Sequence, residues 1–262
     1  MILAIDAGNS RVKWGWCEGE MRGVVQWSSI ATVSLIEFAA SSDHINPFSA
    51  THDNPSRIVI SNVAGEGVHQ LLVNWTSIFD AEPLWVKGEK TLCGVTSRYE
   101  RPEQLGPDRW AALIAARALE AGRACLVVNA GTATTVDALG AGGEFLGGLI
   151  LPGVDLMRFV LHEHTGRLPL EEGSFVPTPR NTVDAIETGC RHAQAGAVER
   201  MHRAMSRTGS GTGGGTGGGM IACLVSGGGG EALIERLDGL PCRYVENLVL
   251  EGLGRIGLAG LA

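Results

Sequence analysis

Two similar strand-and-turn segments constrain the fold more than any other feature of the sequence. Residues 3–15 read LAIDAGNSRVKWG, and residues 126–139 read LVVNAGTATTVDAL. In each segment an apolar run typical of a buried strand leads to a glycine with hydroxyl or amide side chains beside it. A chain of 262 residues can form one large domain or two of about 130 residues. The repeat favours two domains, which we predict over residues 1–118 and 119–262.

Strands and helices alternate along the rest of the sequence. Short apolar runs predict buried strands at residues 2–5, 12–16, 57–63, 124–130, 134–139, 147–153 and 220–228. Helical periodicity predicts helices at residues 68–79, 108–122 and 182–205. This alternation indicates an α/β fold. The glycine-rich stretch 206–219 is typical of a flexible loop that links a helix to a strand.

Charge and hydropathy exclude several classes of function. The net charge is -7 and the arginines are scattered, so we expect no nucleic-acid partner. No apolar run approaches the roughly 18 residues of a membrane span, and the first residues lack the basic start of a signal peptide. The six cysteines form no C-x-x-C pair. We therefore expect a cytoplasmic protein with reduced thiols.

The first turn carries groups that suit a phosphate and a metal ion. Asp6 follows a strand, and Gly8 lets a ligand approach the backbone closely. Exposed N–H groups in such a turn bind phosphate oxygens, and a carboxylate holds hydrated Mg²⁺. Lys13 would neutralise further phosphate charge. The same residues also fit a plain hairpin turn. The first segment alone leaves open whether the turn binds phosphate or only connects two strands.

The second copy strengthens the phosphate interpretation. Gly131 and Thr132 again follow a strand, so two turns could hold a polyphosphate between two domains. The P-loop motif G-x-x-x-x-G-K-[ST] is absent from the sequence. The segment 226–232, SGGGGEA, fits a dinucleotide fingerprint but lies too near the end of the sequence for a complete unit. It opens a helix against a ligand, or it is simply a tight strand-to-helix turn.

A third group of residues lies in YERPEQLGPDRW, residues 99–110. Pro107 suits the first position of a helix, which puts Asp108 and Arg109 in the first turn after Gly106. Asp108 could accept a hydroxyl proton and Arg109 could bind a carboxylate. An aspartate in a first helical turn is also favoured by the helix dipole alone, and Arg109 could simply pair with it.

Together these motifs resemble the type III pantothenate kinases, members of the superfamily of acetate and sugar kinases, heat-shock chaperone ATPases and actin. The resemblance covers nearly the whole chain and rests on motifs in the family order. These are DAGNSRVKWG (6–15), YERPEQLGPDRW (99–110), NAGTATTVDAL (129–139), GGLILPG (147–153), TGRLP (165–169) and NTVDAIETG (181–189). The resemblance implies two ribonuclease-H-like domains, each with a mixed sheet flanked by helices, and a cleft between the domains that holds ATP.

The resemblance also implies roles for individual residues. The ATP phosphates and Mg²⁺ would be bound by Asp6, Ala7, Gly8, Asn9, Ser10, Arg11, Val12 and Lys13, and ATP also by Thr132. Asp6 would hold Mg²⁺ through water. Pantothenate would be bound by Tyr99, Gly106, Pro107, Asp108, Arg109 and Thr182. Asp108 would be the catalytic base.

One position departs from the family pattern. The second turn of the family often begins with an aspartate that helps bind a monovalent cation, K⁺ or NH₄⁺, whereas this chain has Asn129. An amide oxygen can bind a cation but brings no charge, so we expect a weaker or absent cation site.

The resemblance implies a homodimer with the pantothenate pocket at the dimer interface, and it predicts ATP-dependent phosphorylation of pantothenate to 4'-phosphopantothenate. This is the first step of coenzyme A biosynthesis. Two other functions remain open at this point. The chain could be a weak or inactive relative that acts as a regulatory accessory protein, or a kinase of the same fold with another hydroxylated substrate.

Overall fold

The computed structural model describes residues 1–21, 23–41, 54–207 and 221–260. Its contacts divide the chain into two compact units. The first unit comprises residues 1–121 together with the C-terminal segment from Asn247, and the second comprises residues 122–246. Within the described ranges, no helix is both long enough and apolar enough to cross a membrane. Most of the predicted glycine-rich loop 206–219 lies outside the described residues, and Ser206 and Arg207 belong to a helix.

The first unit contains a mixed sheet with helices. Its strands are β1 (Ile2–Ala7), β2 (Arg11–Met21), β3 (Val24–Ser34), β4 (Arg57–Asn62), β5 (Pro83–Trp85), β6 (Thr91–Leu92) and β7 (Val95–Ser97). Its helices before residue 121 are α1 (Leu35–Ser41), α2 (Glu66–Thr76) and α3 (Pro107–Leu119), with a short 3₁₀ turn at Pro102–Gln104. Five strands form one sheet in the order β3-β2-β1-β4-β5.

The centre of this sheet is buried, which explains its continuous apolar runs. Strand β1 pairs antiparallel with β2 and parallel with β4. Leu3 and Ile5 belong to a core that also contains Leu72 and Trp75 of α2. The carboxyl end of β1 therefore rests on a fixed, close-packed base, and the first predicted turn begins there.

The second unit repeats the plan of a mixed sheet with helices. Its elements are β8 (Cys125–Ala130), β9 (Ala133–Leu139), β10 (Glu144–Pro152), α4 (Val154–His164), α5 (Thr182–Arg207), β11 (Ala222–Ser226), α6 (Gly230–Ile234) and β12 (Cys242–Tyr244). These strands follow the order β12-β11-β8-β9-β10. Strand β8 is parallel to β11 and antiparallel to β9, so this sheet is mixed as well.

The last helix, α7 (Leu248–Ala259), packs within the first unit against α3. A Cβ at Gly252 would lie 1.9 Å from the backbone oxygen of Ala111, so only glycine allows this approach of the two helices. Buried Arg255 donates to Glu251 Oε1 on the same helix at 2.7 Å. Glu251 Oε1 also accepts a hydrogen bond from the backbone N–H of Val25 at 3.1 Å. These contacts fix α7 to both α3 and the β2–β3 hairpin.

Gly252→Ala is expected to lower the free energy of unfolding by about 2–3 kcal/mol, because the added methyl group meets backbone that cannot move aside. The matched control is Gly196→Ala in the interior of α5, where a Cβ meets nothing within 4 Å. That variant should gain about 0.5–1 kcal/mol, because alanine is the better helix former. Urea denaturation measures both changes, and equal effects would contradict the packing assigned to Gly252.

The predicted α/β class with two mixed sheets flanked by helices is confirmed. The apolar patterns in the sequence did not predict β3, α4 or α7, among other elements. The strand predicted at residues 147–153 begins earlier, as β10 from Glu144, and its register shifts between Phe145 and Gly147. Gly147 has φ +130°, which L side chains rarely adopt and which accommodates this irregularity.

Candidate active site

Asp6 lies near the end of β1, between two strands that contribute polar side chains. Its register partner on β2 is Lys13, and its partner on β4 is Ser61. Strand neighbours in register project to the same face of the sheet. The sheet therefore brings a carboxylate, an ammonium group and a hydroxyl together near the carboxyl end of β1. The Lys13 ammonium also donates a hydrogen bond to Asn247 Oδ1 at 3.2 Å, at the start of α7.

The turn after β1 is short and open to solvent. Gly8 donates its N–H to the backbone oxygen of Arg11 at 3.0 Å, which closes the turn. Asn9, Ser10 and Arg11 are exposed, whereas Ala7 and Val12 are buried. Of the residues predicted to bind ATP, the buried pair can therefore contribute only through the backbone.

Asp108 lies in the first turn of α3, as the sequence predicts. Its Oδ1 accepts a hydrogen bond from the backbone N–H of Arg109 at 2.8 Å. A Cβ at Gly106 would lie 2.7 Å from the same carboxylate oxygen. Glycine at this position leaves room for the carboxylate, and Pro107 starts the helix with a fixed φ. The GPDR sequence thus sets the position of the Asp108 carboxylate.

The Asp108 carboxylate affects the pKa of Asp6, although about 100 residues separate the two in the chain. Burial and, next, the Asp108 carboxylate raise the pKa of Asp6 to about 7, although Lys13 and then Ser61 oppose the rise. Burial also raises the pKa of Asp108, against the Arg109 N–H and the Arg109 charge. A divalent cation would relieve the repulsion between the two carboxylates and is therefore favoured here. The residues present fit Mg²⁺.

Arg109 and Tyr99 form a second polar pair beside this site. Arg109 is only 5% exposed. Its Nη2 donates to the Tyr99 hydroxyl at 3.4 Å, and its guanidinium carbon lies 6.0 Å from the centre of the Tyr99 ring. A buried guanidinium held by an aromatic side chain suits recognition of a carboxylate. The first unit therefore brings together Asp6, Lys13, Tyr99, Gly106, Pro107, Asp108 and Arg109 from four parts of the chain.

The second unit contains its own glycine-lined turn at the end of β8. Gly131 and Thr132 are exposed between β8 and β9. Gly153 donates its N–H to the backbone oxygen of Thr132 at 2.9 Å, and a Cβ there would lie 2.2 Å from the Gly131 oxygen. Gly227, with φ +92°, lies where a Cβ would be 2.7 Å from Asn129 Oδ1. Three glycine turns therefore converge beside Asn129 and Thr132.

Thr182 occupies a different position in the second unit. It is the first residue of α5, where the preceding Asn181 accepts a hydrogen bond from the backbone N–H of Asp184 at 2.9 Å. Thr182 lines an apolar cavity of about 610 Å³ formed largely by α4 and α5. Met157 and Ile186 also line this cavity.

The sequence does not predict Ser61 as a neighbour of Asp6, nor the contacts of Gly153 with Gly131 and of Gly227 with Asn129. Ser61 follows an apolar run in RIVISNV and could have been noticed as the polar end of a strand. The two glycines carry a weaker signal, since their role depends on contacts with Gly131 and Asn129 that only the folded chain creates.

The fold is similar to that of several solved structures. A structure of a putative 2-dehydro-3-deoxygalactonokinase from Sinorhizobium meliloti has a TM-score of 0.55 at 16% identity and covers 99% of this chain and 97% of its own. A structure of a putative Baf family transcriptional activator from Campylobacter jejuni has a TM-score of 0.62 at 20% identity and covers 99% and 98%. At these identities the similarity concerns the fold.

The sequence comparisons are more specific. Residues 2–204 match the type III pantothenate kinase family. A type III pantothenate kinase from Aromatoleum aromaticum is 47% identical over 253 residues, which cover 97% of this chain and 96% of the relative. The chain therefore belongs to the type III pantothenate kinase family. The reaction of this family is the ATP-dependent phosphorylation of pantothenate, the first step of coenzyme A biosynthesis.

Proposed function

We propose that this chain transfers the γ-phosphoryl group of ATP to the primary hydroxyl of pantothenate, with Asp108 as the base. The observation that carries the proposal is the pair of interacting carboxylates, Asp6 from β1 and Asp108 from α3, each with a raised pKa. Phosphoryl transfer needs neutralisation of phosphate charge and a hydroxyl held in line with the phosphorus. Asp6 serves the first need, through Mg²⁺, and Asp108 serves the second.

On this proposal, Asp108 receives the proton of the attacking hydroxyl. A raised pKa brings a carboxylate closer to neutral pH, which makes it a stronger base when ionised. Arg109 binds the carboxylate at the other end of pantothenate, and the Tyr99 ring and hydroxyl hold the guanidinium. Gly106 and Pro107 position the Asp108 carboxylate and border the substrate.

Asp6 holds Mg²⁺ through water, and the ion neutralises phosphate charge when it is bound. Lys13 adds a second positive charge beside the ion. This assignment is supported by the register pairing of Lys13 with Asp6. The residues of the first turn, from Ala7 to Val12, bind phosphate oxygens largely through backbone N–H groups. Thr132 contacts ATP from the second glycine turn. The predicted division into residues 1–118 and 119–262 needs one change, because the segment from Asn247 belongs to the first compact unit.

We also propose a cytoplasmic homodimer in which Thr182 contributes to the pantothenate pocket at the dimer interface. The support is the apolar cavity beside Thr182, together with exposed Phe159 and Val160 on α4, which a second copy could cover. Light scattering on purified protein should give twice the chain mass of 27.5 kDa. A monomer at the concentrations used for activity assays would contradict this part of the proposal.

A coupled assay of ADP release tests the function. We expect ADP release that depends on pantothenate and exceeds that with any sugar in a panel of hydroxylated acceptors. Release with a sugar in preference to pantothenate would instead favour a kinase of another specificity. No acceptor-dependent release would favour a regulatory accessory protein.

Asn129→Asp is expected to increase the response of kcat to K⁺ relative to Na⁺, because a carboxylate supplies the charge that the amide lacks. Wild-type protein should show a weak or absent preference between the two ions. Initial rates in matched chloride salts measure the effect, with Asn74→Asp, exposed on α2, as a control for added charge. An unchanged K⁺ response in Asn129→Asp would contradict the cation role of this position.

A further inference from the structure

Two cysteines face each other across neighbouring strands of the second unit. Cys223 of β11 and Cys242 of β12 are register partners in a parallel pair. Neighbouring strands lie about 4.8 Å apart. Disulfides form between residues whose Cα atoms are about 4.4–6.8 Å apart. The backbone therefore already holds these residues within disulfide range.

The two thiols differ in accessibility. Cys223 is fully buried, whereas Cys242 is only partly buried, on a strand of three residues at the end of the strand order. The interaction between the two thiols raises the pKa of Cys223 and lowers that of Cys242, and burial raises the pKa of Cys223 further. An oxidant would therefore reach Cys242 first and in its more reactive form.

Cys125 is not an alternative partner for Cys223. On β8 the register partner of Cys223 is Leu126, and Cys125 is opposite Ala222. Because neighbouring residues of a strand point to opposite faces, Cys125 and Cys223 project to opposite faces of the sheet. Cys242 is thus the cysteine that the register presents to Cys223.

We propose that Cys223 and Cys242 are a site of reversible disulfide formation by a hydroperoxide. The Cys242 thiolate attacks an oxygen of hydrogen peroxide, the O–O bond breaks, and the departing hydroxide takes a proton to become water. The Cys223 sulfur then attacks the resulting sulfenic acid, and the S–O bond breaks as the S–S bond forms. The departing hydroxide takes the Cys223 proton. Two thiols and one peroxide thus give one disulfide and two waters.

The pair is connected to the glycine turn that follows β11. Tyr244, two residues after Cys242, donates from its hydroxyl to the backbone oxygen of Gly227 at 3.3 Å. Its ring covers Gly230, where a Cβ would be only 2.8 Å from a ring carbon. Gly227 in turn lies against Asn129 and Ala130, which lead into the turn that contains Gly131 and Thr132.

A disulfide would therefore change this turn. The two sulfur atoms of a disulfide are only about 2.05 Å apart, which is closer than two separate thiols can approach. The bond draws the short strand β12 towards β11 and shifts Tyr244 relative to Gly227 and Gly230. The expected effect on catalysis rests on the proposed function, in which the turn that contains Thr132 binds ATP. We expect oxidation to raise KM for MgATP several-fold.

Peptide mapping after treatment with equimolar hydrogen peroxide tests the disulfide. Trypsin cleaves after Arg236, so the two cysteines end in separate peptides that only a disulfide joins. We expect the linked peptide in wild-type protein and in Cys93→Ser, whose cysteine is also partly buried and serves as the matched control. Cys242→Ser should abolish it, and dithiothreitol should reverse it. Sulfinic acid at Cys242 without the linked peptide would overturn the proposal.

Kinetic measurements test the effect of the disulfide on nucleotide binding separately from the formation of the disulfide. KM for MgATP should rise on oxidation of wild-type protein, return with dithiothreitol, and stay constant in peroxide-treated Cys242→Ser. A linked peptide with unchanged KM would overturn the coupling to the nucleotide turn. Reduced protein without pantothenate-dependent turnover would instead overturn the proposed function, and the peptide map would be unaffected.

Discussion

Asp108→Asn is expected to lower kcat by about 10²-fold or more, the usual loss when a general base is removed. Asparagine keeps the size of the side chain, and its amide oxygen can still accept the N–H of Arg109. The fold and MgATP binding should therefore be retained. Steady-state kinetics with pantothenate, together with calorimetric titration of MgATP, measures the two effects separately.

The matched control is Asp155→Asn. Asp155 is also in the first turn of a helix, α4, and its side chain is 98% exposed. If the loss at Asp108 came from weakening the helix dipole interaction, the two variants would behave alike. Normal turnover by Asp108→Asn would contradict its assignment as the base.

Asp6→Asn is expected to lower kcat/KM for MgATP on the order of 10²–10³-fold, as the loss of one preorganised electrostatic group does. The variant loses the carboxylate that is proposed to hold Mg²⁺. Activity should not recover at higher pH. In wild-type protein, protons compete with Mg²⁺ for a group whose pKa is about 7. KM for MgATP should therefore increase as the pH falls below this value.

The same substitution should stabilise the protein without ligands at alkaline pH. The pKa of Asp6 rises from 3.8 to about 7 on folding. Below about pH 4 the carboxyl is protonated in both the folded and the unfolded chain. Between these two pKa values only the unfolded chain releases the proton, so the free energy of unfolding decreases as the pH rises. Asparagine does not ionise, so in the variant this group no longer lowers the free energy of unfolding as the pH rises.

Thermal denaturation in magnesium-free buffer measures this effect. Asp6→Asn should have a higher Tm than wild type near pH 8 and an equal Tm near pH 4. The control is Asp80→Asn, because Asp80 is exposed in the same unit. A lower Tm of Asp6→Asn near pH 8 would contradict the unfavourable burial of the Asp6 charge.

The sequence predicted the parts of the site that local chemistry determines. Strand β1, near whose end Asp6 lies, follows from an apolar run, and the helix that begins at Pro107 follows from proline at the first helical position. Gly131 and Thr132 are placed in a turn by the same reasoning. Each of these features depends on a few neighbouring residues, which is why one sequence suffices.

Other features depend on packing between distant segments. Helix α7 contains Gly252, Gly254 and Gly257, and glycine lowers helix propensity. These glycines are tolerated because a Cβ at each would collide with Ala111, Val25 or Ile2. The effect of Asp108 on the pKa of Asp6 likewise arises only when the folded chain brings the first turn of α3 near the end of β1. Propensity and periodicity carry no information on such contacts.

The most direct test of the proposed reaction is the ratio of 4'-phosphopantothenate formed to ADP released by wild-type protein at saturating MgATP. Mass spectrometry quantifies the first product and chromatography the second. We expect a ratio of one and no ADP release above background when pantothenate is omitted. ADP release at the same rate without pantothenate, or with no phosphopantothenate formed, would contradict transfer of the phosphoryl group to this substrate.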